Sequence, residues 1–142
     1  MSWAQIVSVA AAFTWLGLVA GISVIEAPLK FRAPGVTLAL GLSIGRLVFG
    51  VVTKVEAALL AVTAVGAALA PGGLAVRLAL LALLAVILAG QILVLRPVLD
   101  RRAGVIIAGG TPPPSRLHLA YIAAEGVKLA LLIALGLILA RA

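Results

Sequence analysis

The sequence predicts an all-α membrane protein, a polytopic four-helix bundle that forms a single transmembrane domain over residues 1–142. Of the residues, 65% are hydrophobic and 11% are charged, whereas soluble domains carry about 25% charged residues. The apolar residues form continuous runs of about 20 residues, the length at which a helix crosses a bilayer. Backbone polar groups must be paired internally in lipid, and unbroken apolar runs favour helices over a β-barrel.

The first predicted span covers residues 3–24, and Glu26 closes it. A connection over residues 26–46 follows and opens with the basic turn Glu26-Ala-Pro-Leu-Lys-Phe-Arg-Ala-Pro-Gly35. The second part of this connection, residues 36–46, is apolar. It is expected to form either a short interfacial helix or the tilted start of the second span, because residues 36–70 are too long for one straight crossing.

The second predicted span covers residues 47–69 and ends at the turn Pro71-Gly-Gly73. The third covers residues 74–95, and Arg96-Pro97 is predicted to end it, because proline disrupts a helix interior. After a second connection, residues 96–116, the fourth span covers residues 117–140.

Basic residues are distributed unevenly between the two sides of the predicted bundle. The side with the two long connections carries seven cations, whereas the opposite side carries only Arg77 and Arg141. The seven cations are Lys30, Arg32, Arg46, Arg96, Arg101, Arg102 and Arg116. The positive-inside rule therefore predicts a multi-pass protein of the inner membrane with cytoplasmic connections and both termini extracytoplasmic.

Composition and missing motifs exclude several functions. Cysteine is absent, which excludes disulfides and thiolate metal sites. The net charge of +7 sits mainly between apolar runs, so it indicates topology and no nucleic-acid partner is expected. The chain contains no phosphate-binding loop, no G-x-S-x-G motif and no Cys/His pair. We therefore expect a protein that is not an enzyme and has no cofactor.

Polar residues inside the predicted spans are the candidate functional residues. His118, Tyr121, Glu125 and Lys128 fall within about an 80° arc of one helix. On the second span Lys54 and Glu56 point in nearly opposite directions, and Glu56 is expected inside, because Lys54 can extend its ammonium to the interface. We name the whole set the polar seam: Glu26, Glu56, Gln91, His118, Tyr121, Glu125 and Lys128.

Three interpretations of the polar seam remain open. It can be a structural network, with Lys128 paired to Glu125 or to Glu56 across helices. It can be a proton or ion site, since intramembrane carboxylates are functional candidates by default. It can also be a metal site, for which the weak candidates are Glu26, Glu56, His118 and Glu125. The Glu-x-x-His motif of bundle metal sites is absent.

Small residues form two further patterns. Gly17 and Gly21 form a small-x-x-x-small pair on the first span. On the fourth span, the face opposite the polar residues carries Ala123, Gly126, Ala130 and Ala134. Both patterns predict close approach of a neighbouring helix.

Four short segments carry a resemblance to a known family. They are Phe13-Thr-Trp-Leu-Gly17, Glu26-Ala-Pro-Leu-Lys-Phe-Arg32, Gly45-Arg-Leu-Val-Phe49 and Ser115-Arg-Leu-His118. In these the chain resembles an uncharacterised bacterial family of four-span membrane proteins, a domain of unknown function similar in layout to the eukaryotic transmembrane protein 205 group. The resemblance implies four helices in the plasma membrane and assigns no catalytic residues.

The leading expectation is a non-enzymatic inner-membrane protein that acts as an accessory subunit or associates with itself. Its expected partners are the lipid bilayer and either other membrane subunits or further copies of the chain. The alternative is a small proton- or ion-coupled transporter that uses Glu56 and Glu125. A metal-dependent membrane enzyme is the third possibility.

Overall fold

Residues 1–141, the part of the chain that the computed structural model describes, form four long helices packed as a bundle. Their bounds are Trp3–Arg32 (α1), Leu38–Leu69 (α2), Leu74–Ile107 (α3) and Leu117–Arg141 (α4). Each is long and apolar enough to span a membrane. The predicted fold class is therefore confirmed.

The helices alternate in direction, and each packs against two others: α1 and α3 both lie between α2 and α4. One end of the bundle holds the start of α1, the end of α4 and the turn Pro71-Gly-Gly73, and we call it the termini end. The opposite end holds both long connections and is called the basic end. Gly72 and Gly73 have φ of 69° and 56°, which glycine adopts without the steric cost that other residues would meet.

The two N-terminal helix starts follow from local sequence. Ser2 caps α1 by accepting a hydrogen bond from the Gln5 backbone N–H, and the Gln5 side chain accepts one from the Ser2 backbone in return. Thr37 caps α2 by accepting from the Leu40 N–H at 3.1 Å. Both are arrangements that satisfy N–H groups left free in the first turn.

Two helices continue well past the predicted ends of their spans. α1 continues past Glu26 and Pro28 to Arg32, and α3 continues past Arg96-Pro97 to Ile107. In each case a π-helical segment precedes the proline, Ala20–Glu26 in α1 and Gln91–Leu95 in α3. The proline then falls in the first turn of the next α-helical piece, where a missing N–H is tolerated.

The predicted separate surface helix over residues 36–46 is not present. Leu38–Leu69 is one continuous helix, so the alternative expectation, an early part of the second helix, is the one observed. At about 1.5 Å per residue this helix is about 48 Å long. It is longer than a ~30 Å hydrocarbon core, so part of it must lie outside the core or be tilted.

The apolar core fills the half of the bundle nearer the termini end. Its buried members are Ala12, Trp15, Val19, Ala67, Leu81, Leu84, Leu88, Leu132, Leu135 and Leu139. α1 and α2 approach closely here, because a Cβ placed on Gly66 would lie 2.8 Å from the Ala4 carbonyl oxygen. Large apolar side chains also face outward on all four helices, as expected of surfaces that contact lipid.

Candidate functional site: a buried charged network

Lys128 of α4 lies at the centre of the site and is completely buried. Its Nζ is 2.5 Å from Glu56 Oε2, 2.7 Å from Glu125 Oε1 and 2.9 Å from Gln91 Oε1. An ammonium group has three N–H donors and no acceptor. Each donor of Lys128 therefore has an oxygen to bond.

Glu56 of α2 is 1% exposed and accepts a second hydrogen bond, from Trp15 Nε1 of α1 at 2.7 Å. Trp15 is itself fully buried, and its ring belongs to the apolar core. A buried indole N–H needs an acceptor. The Glu56 carboxylate accepts this hydrogen bond, which also holds the carboxylate in place.

Glu125 is 6% exposed and uses both of its oxygens. Oε1 accepts from Gln91 Nε2 at 2.6 Å as well as from Lys128, and Oε2 accepts from Ser23 Oγ at 2.5 Å. The Gln91 amide thus bridges the two charged groups of α4, donating to Glu125 and accepting from Lys128.

Both π-helical segments contribute to this arrangement. Ser23 lies within the segment of α1, and Gln91 begins the segment of α3. π-Helical turns are rare and are frequent at functional sites. Here the two segments supply the two neutral side chains that bond to Glu125.

We call the six joined residues the buried network. It draws on all four helices and consists of Trp15, Ser23, Glu56, Gln91, Glu125 and Lys128. Glu56 lies thirteen residues before the end of α2, and Lys128 lies thirteen residues before the end of α4. Each is therefore about 20 Å from the termini end, which is near the middle of the bundle.

The formal charges of the buried network do not balance. It contains the two carboxylates of Glu56 and Glu125 and the single ammonium of Lys128. A buried ion costs several kcal/mol unless a partner compensates it. With both carboxylates ionised the network carries one uncompensated negative charge, and a single proton would neutralise it.

Tyr121 lies one helical turn from Glu125 towards the basic end. Its ring packs edge-on against Phe49, with centroids 5.9 Å apart and planes at 87°. Among residues 1–141, its hydroxyl is the one buried side-chain polar atom without a hydrogen-bond partner. The charges that act on it are those of Glu125, Glu56, Arg96 and Asp100.

A polar cluster joins α2 and α3 on the side of the buried network that faces the basic end. Arg96 donates to Thr53 Oγ1 at 3.2 Å and to the Arg46 carbonyl at 3.1 Å, and it pairs with Asp100 at 3.4 Å. The Asp100 side chain is 35% exposed. Polar groups therefore extend from the surface of the basic end to Thr53, which lies one helical turn before Glu56 on α2.

The structure brings together only part of the polar seam. Glu56, Gln91, Glu125 and Lys128 meet in the buried network, and Tyr121 is adjacent to it. His118, by contrast, is exposed at the start of α4. Glu26 is half-buried and pairs with Lys30 at 3.5 Å within α1.

This separation bears directly on the predicted metal site. Within residues 1–141, no three His, Asp or Glu side chains come close enough together to bind a metal ion. The weak candidates Glu26, Glu56, His118 and Glu125 thus do not form a common site. The reason is that His118 and Glu26 lie near the basic end while the two deeper carboxylates converge on Lys128.

Two members of the buried network, Trp15 and Ser23, are not among the residues predicted from the sequence. Trp15 had a usable signal, since an indole in the middle of a membrane helix must donate its N–H to an acceptor on another helix. Ser23 had none, because the π-helical segment that directs it towards Glu125 is not evident from the spacing of apolar residues.

A separate group of polar contacts closes the termini end. Arg77 is completely buried and donates to backbone carbonyls of Ala67, Ala70, Pro71 and Gly73 at 2.6–3.3 Å. Two of these carbonyls belong to the end of α2 or its cap, where helical partners are missing. This end also contains the bonds Gln5 Nε2 to Leu139 O and Ser8 Oγ to Thr63 O, at 2.8 and 2.9 Å.

Comparison of the chain with protein-family models, curated proteins and solved structures finds no match. The four-helix layout that the family resemblance implies is present, and no family is identified.

Proposed function

We propose that this multi-pass membrane protein is a small proton-coupled carrier that binds and releases one proton at Glu125. The observation that carries the proposal is the unequal number of buried charges, two carboxylates against one ammonium. Gain of a proton makes the network neutral, and loss of it leaves a buried negative charge. Such a change in free energy between the two states can drive a change in helix packing.

Glu125 is the better of the two carboxylates to hold the proton. Its Oε2 is bonded to Ser23 Oγ at 2.5 Å, and a hydroxyl can either donate or accept a hydrogen bond. The contact therefore persists when the carboxyl itself becomes the donor. Glu56 Oε2, by contrast, already accepts from two groups that can only donate, Trp15 and Lys128, and no residue in 1–141 is placed to accept a hydrogen bond from Glu56 Oε1.

The groups that face Glu125 agree with this assignment. α4 contributes Lys128 and Tyr121, α2 contributes Glu56, and α1 and α3 contribute the neutral side chains of Ser23 and Gln91. After Glu125 takes up a proton, Lys128 and Glu56 remain as a matched pair at 2.5 Å. No buried charge is then left without a counter-charge.

Proton access is proposed from the basic end. The Tyr121 hydroxyl and the cluster around Arg96 lie on that side of Glu125, and a buried water next to an unsatisfied hydroxyl is the usual link in such a position. On the other side, Leu132, Leu135 and Leu139 continue the buried face of α4 as apolar core. A carrier cycle requires a second arrangement of the helices that opens this apolar half.

Trp15 provides a built-in reporter, because its indole bonds directly to Glu56. The chain has two tryptophans, and the other, Trp3, is 82% exposed. In a Trp3→Phe background the Trp15 emission is expected to change with pH as the network gains or loses its proton. Glu125→Gln mimics the protonated carboxyl in shape and charge, so it is expected to fold and to abolish this change.

Glu26→Gln is the matched control, because Glu26 pairs with Lys30 outside the buried network. It is expected to keep the pH response of Trp15. Absence of any response in a folded Trp3→Phe protein, or an unchanged response in Glu125→Gln, would refute proton binding at Glu125. The carrier role alone would be refuted if vesicles with and without the protein took up protons at the same rate while Trp15 still responded to pH.

A second candidate function is that of an accessory or self-associating membrane component, in which the buried network only fixes helix register. It is favoured by outward-facing small residues: Gly17, Gly21 and Gly126 have no neighbour within 4 Å of a Cβ position among the residues described. Such surfaces suit close contact with another membrane helix. The native mass of the protein released gently from its membrane tests this, since bound copies or other chains support association and a single chain opposes it.

A further inference from the structure

A shallow groove at the basic end lies outside the buried network. It has a volume of about 470 Å³, is lined by residues of α2 and of the last part of α3, and opens to the surface. Its lining residues are Ser43, Arg46, Leu47, Asp100 and Ile107. The proposed proton site uses none of these side chains, and Asp100 alone also belongs to the cluster around Arg96.

The free polar groups in the groove are hydrogen-bond donors. The Arg46 guanidinium is exposed and makes no hydrogen bond or ion pair with any residue in 1–141, and the Ser43 hydroxyl likewise has no partner there. Asp100, the acidic lining residue, is already paired with Arg96 at 3.4 Å. An anion entering the groove therefore meets an unpaired cation.

The apolar part of the groove continues towards the middle of the bundle. Leu47 is 75% exposed, and Val51, one turn further along α2, is 63% exposed. Arg46 lies 23 residues before Leu69, the end of α2, hence about 35 Å from the termini end. For a hydrocarbon core of ~30 Å that begins at the termini end, this distance corresponds to the headgroup layer.

We infer that this groove binds an anionic phospholipid of the leaflet at the basic end. The Arg46 guanidinium bonds the headgroup phosphate through two N–H groups, with the Ser43 hydroxyl as a further donor. The acyl chain follows the exposed Leu47 and Val51. Inorganic phosphate offers the same anionic oxygens, but it leaves the apolar strip unused.

The overall charge of the basic end adds to the preference for an anionic lipid over a zwitterionic one. Glu26 and Asp100 are each paired with a cation of their own helix, Lys30 and Arg96. The remaining cations at this end have no acidic partner in residues 1–141; they are Arg32, Arg46, Arg101, Arg102 and Arg116. Clusters of this kind attract anionic lipids.

The test uses the purified full chain in mild detergent, incubated with equal amounts of phosphatidylglycerol and phosphatidylcholine with the same acyl chains. Native mass spectrometry then counts the lipids retained. Phosphatidylglycerol is expected to be retained several-fold more than phosphatidylcholine, and Arg46→Gln is expected to remove this preference. The substitution spares the Arg46 backbone carbonyl that bonds Arg96, so the helix packing is expected to persist.

Two control variants test whether the preference for phosphatidylglycerol depends on the groove. Arg141→Gln removes an exposed cation at the termini end, and Arg116→Gln removes one at the basic end outside the groove; both are expected to keep the preference. Leu47→Asn is expected to weaken lipid retention without affecting the response of Trp15 to pH. That independence separates failure of this inference from failure of the proposed proton site.

Equal retention of the two lipids by the unmodified protein would overturn the inference, and so would an Arg46→Gln protein that keeps the preference. Release of phosphatidylglycerol by added inorganic phosphate would assign the groove to a free phosphate instead of a lipid. Retention that withstands phosphate but is lost in Leu47→Asn supports the lipid.

Discussion

Trp15 donates its indole N–H to Glu56 Oε2 at 2.7 Å, and both side chains are buried. The same tryptophan ring packs in the apolar core. Trp15 therefore joins the two halves of the molecule, with its carbon atoms in one and its single polar atom in the other. Any change of charge at Glu56 or its partners therefore alters the environment of the Trp15 indole.

Lys128→Met is expected to destabilise the protein strongly. It leaves Glu56 and Glu125 as two buried carboxylates without a cation, and breaking a buried pair costs about 3–5 kcal/mol. Unfolding in detergent, followed by the loss of helical circular dichroism, measures the effect. Lys54→Met is the control, because Lys54 is exposed and has no ion pair with any described residue.

The same substitution can be rescued if charge is the cause. Combining Lys128→Met with Glu56→Gln and Glu125→Gln makes the network uncharged, and most of the lost stability is expected to return. A triple variant no more stable than Lys128→Met would show that the packing of the lysine stem, and not its charge, is what the bundle needs.

Tyr121→Phe is expected not to lower stability, because a buried polar group without a partner costs free energy that phenylalanine avoids. The lost hydroxyl has no partner in the described structure, and the edge-on contact of the ring with Phe49 is kept. In the proposed access route the same change removes one polar group between the surface and Glu125. The rate of the Trp15 response after a rapid pH change is therefore expected to fall, while its final size stays the same.

The outcome at Tyr121 separates access from binding. A Tyr121→Phe protein that responds at the unmodified rate would remove this hydroxyl from the access route. A lower final amplitude would instead mean that Tyr121 stabilises one protonation state of the network. Phe49→Leu serves as a control for the ring contact, since it alters packing beside Tyr121 without removing the hydroxyl.

Arg77→Lys is expected to destabilise the termini end by about 1–3 kcal/mol, because buried carbonyls lose their donors. The guanidinium reaches four carbonyl oxygens around the turn that follows α2, and a compact ammonium cannot reproduce this planar arrangement. Thermal unfolding measures the loss. Arg141→Lys, at an exposed residue of the same end, is expected to have no effect, and equal shifts in the two variants would contradict the assigned role.

The orientation in the membrane is predicted from the seven basic residues of the two connections against Arg77 and Arg141. A reporter fused after Ala142 is expected to be active on the extracytoplasmic side. One fused within residues 108–116 is expected to be active in the cytoplasm. The opposite pair of results would reverse the orientation and place the proposed proton access on the outer side.

α4 shows which features of the site can be predicted from the sequence alone. The helical spacing of Tyr121, Glu125 and Lys128 places them on one face, and all three are buried. His118 shares the spacing but lies at the end of the helix, where no other helix covers it. Helical periodicity thus predicts the face of the helix on which a side chain lies, whereas its burial depends on how far the neighbouring helices extend.

α3 shows a feature that the sequence predicted wrongly. Arg96-Pro97 is a strong sequence signal for a helix end, yet the helix continues to Ile107. The π-helical segment before the proline changes the hydrogen-bond pairing, and that segment has no recognisable apolar period. The same feature in α1 explains why Ser23 was not foreseen as a partner of Glu125.

A π-helical turn contains one more residue than the α-helical turn it replaces, which is what a single inserted codon produces in the gene. The wider turn absorbs the extra residue, so the helix on either side keeps the face it presents, whereas the same insertion in a purely α-helical run would rotate everything after it by about 100°. In both α1 and α3, the part before the turn packs in the apolar half and the part after it reaches the basic end. Deleting one residue from either turn would therefore restore an α-helical turn and leave both ends of the helix in register, so the loss would be confined to the turn itself, where Ser23 or Gln91 bonds Glu125.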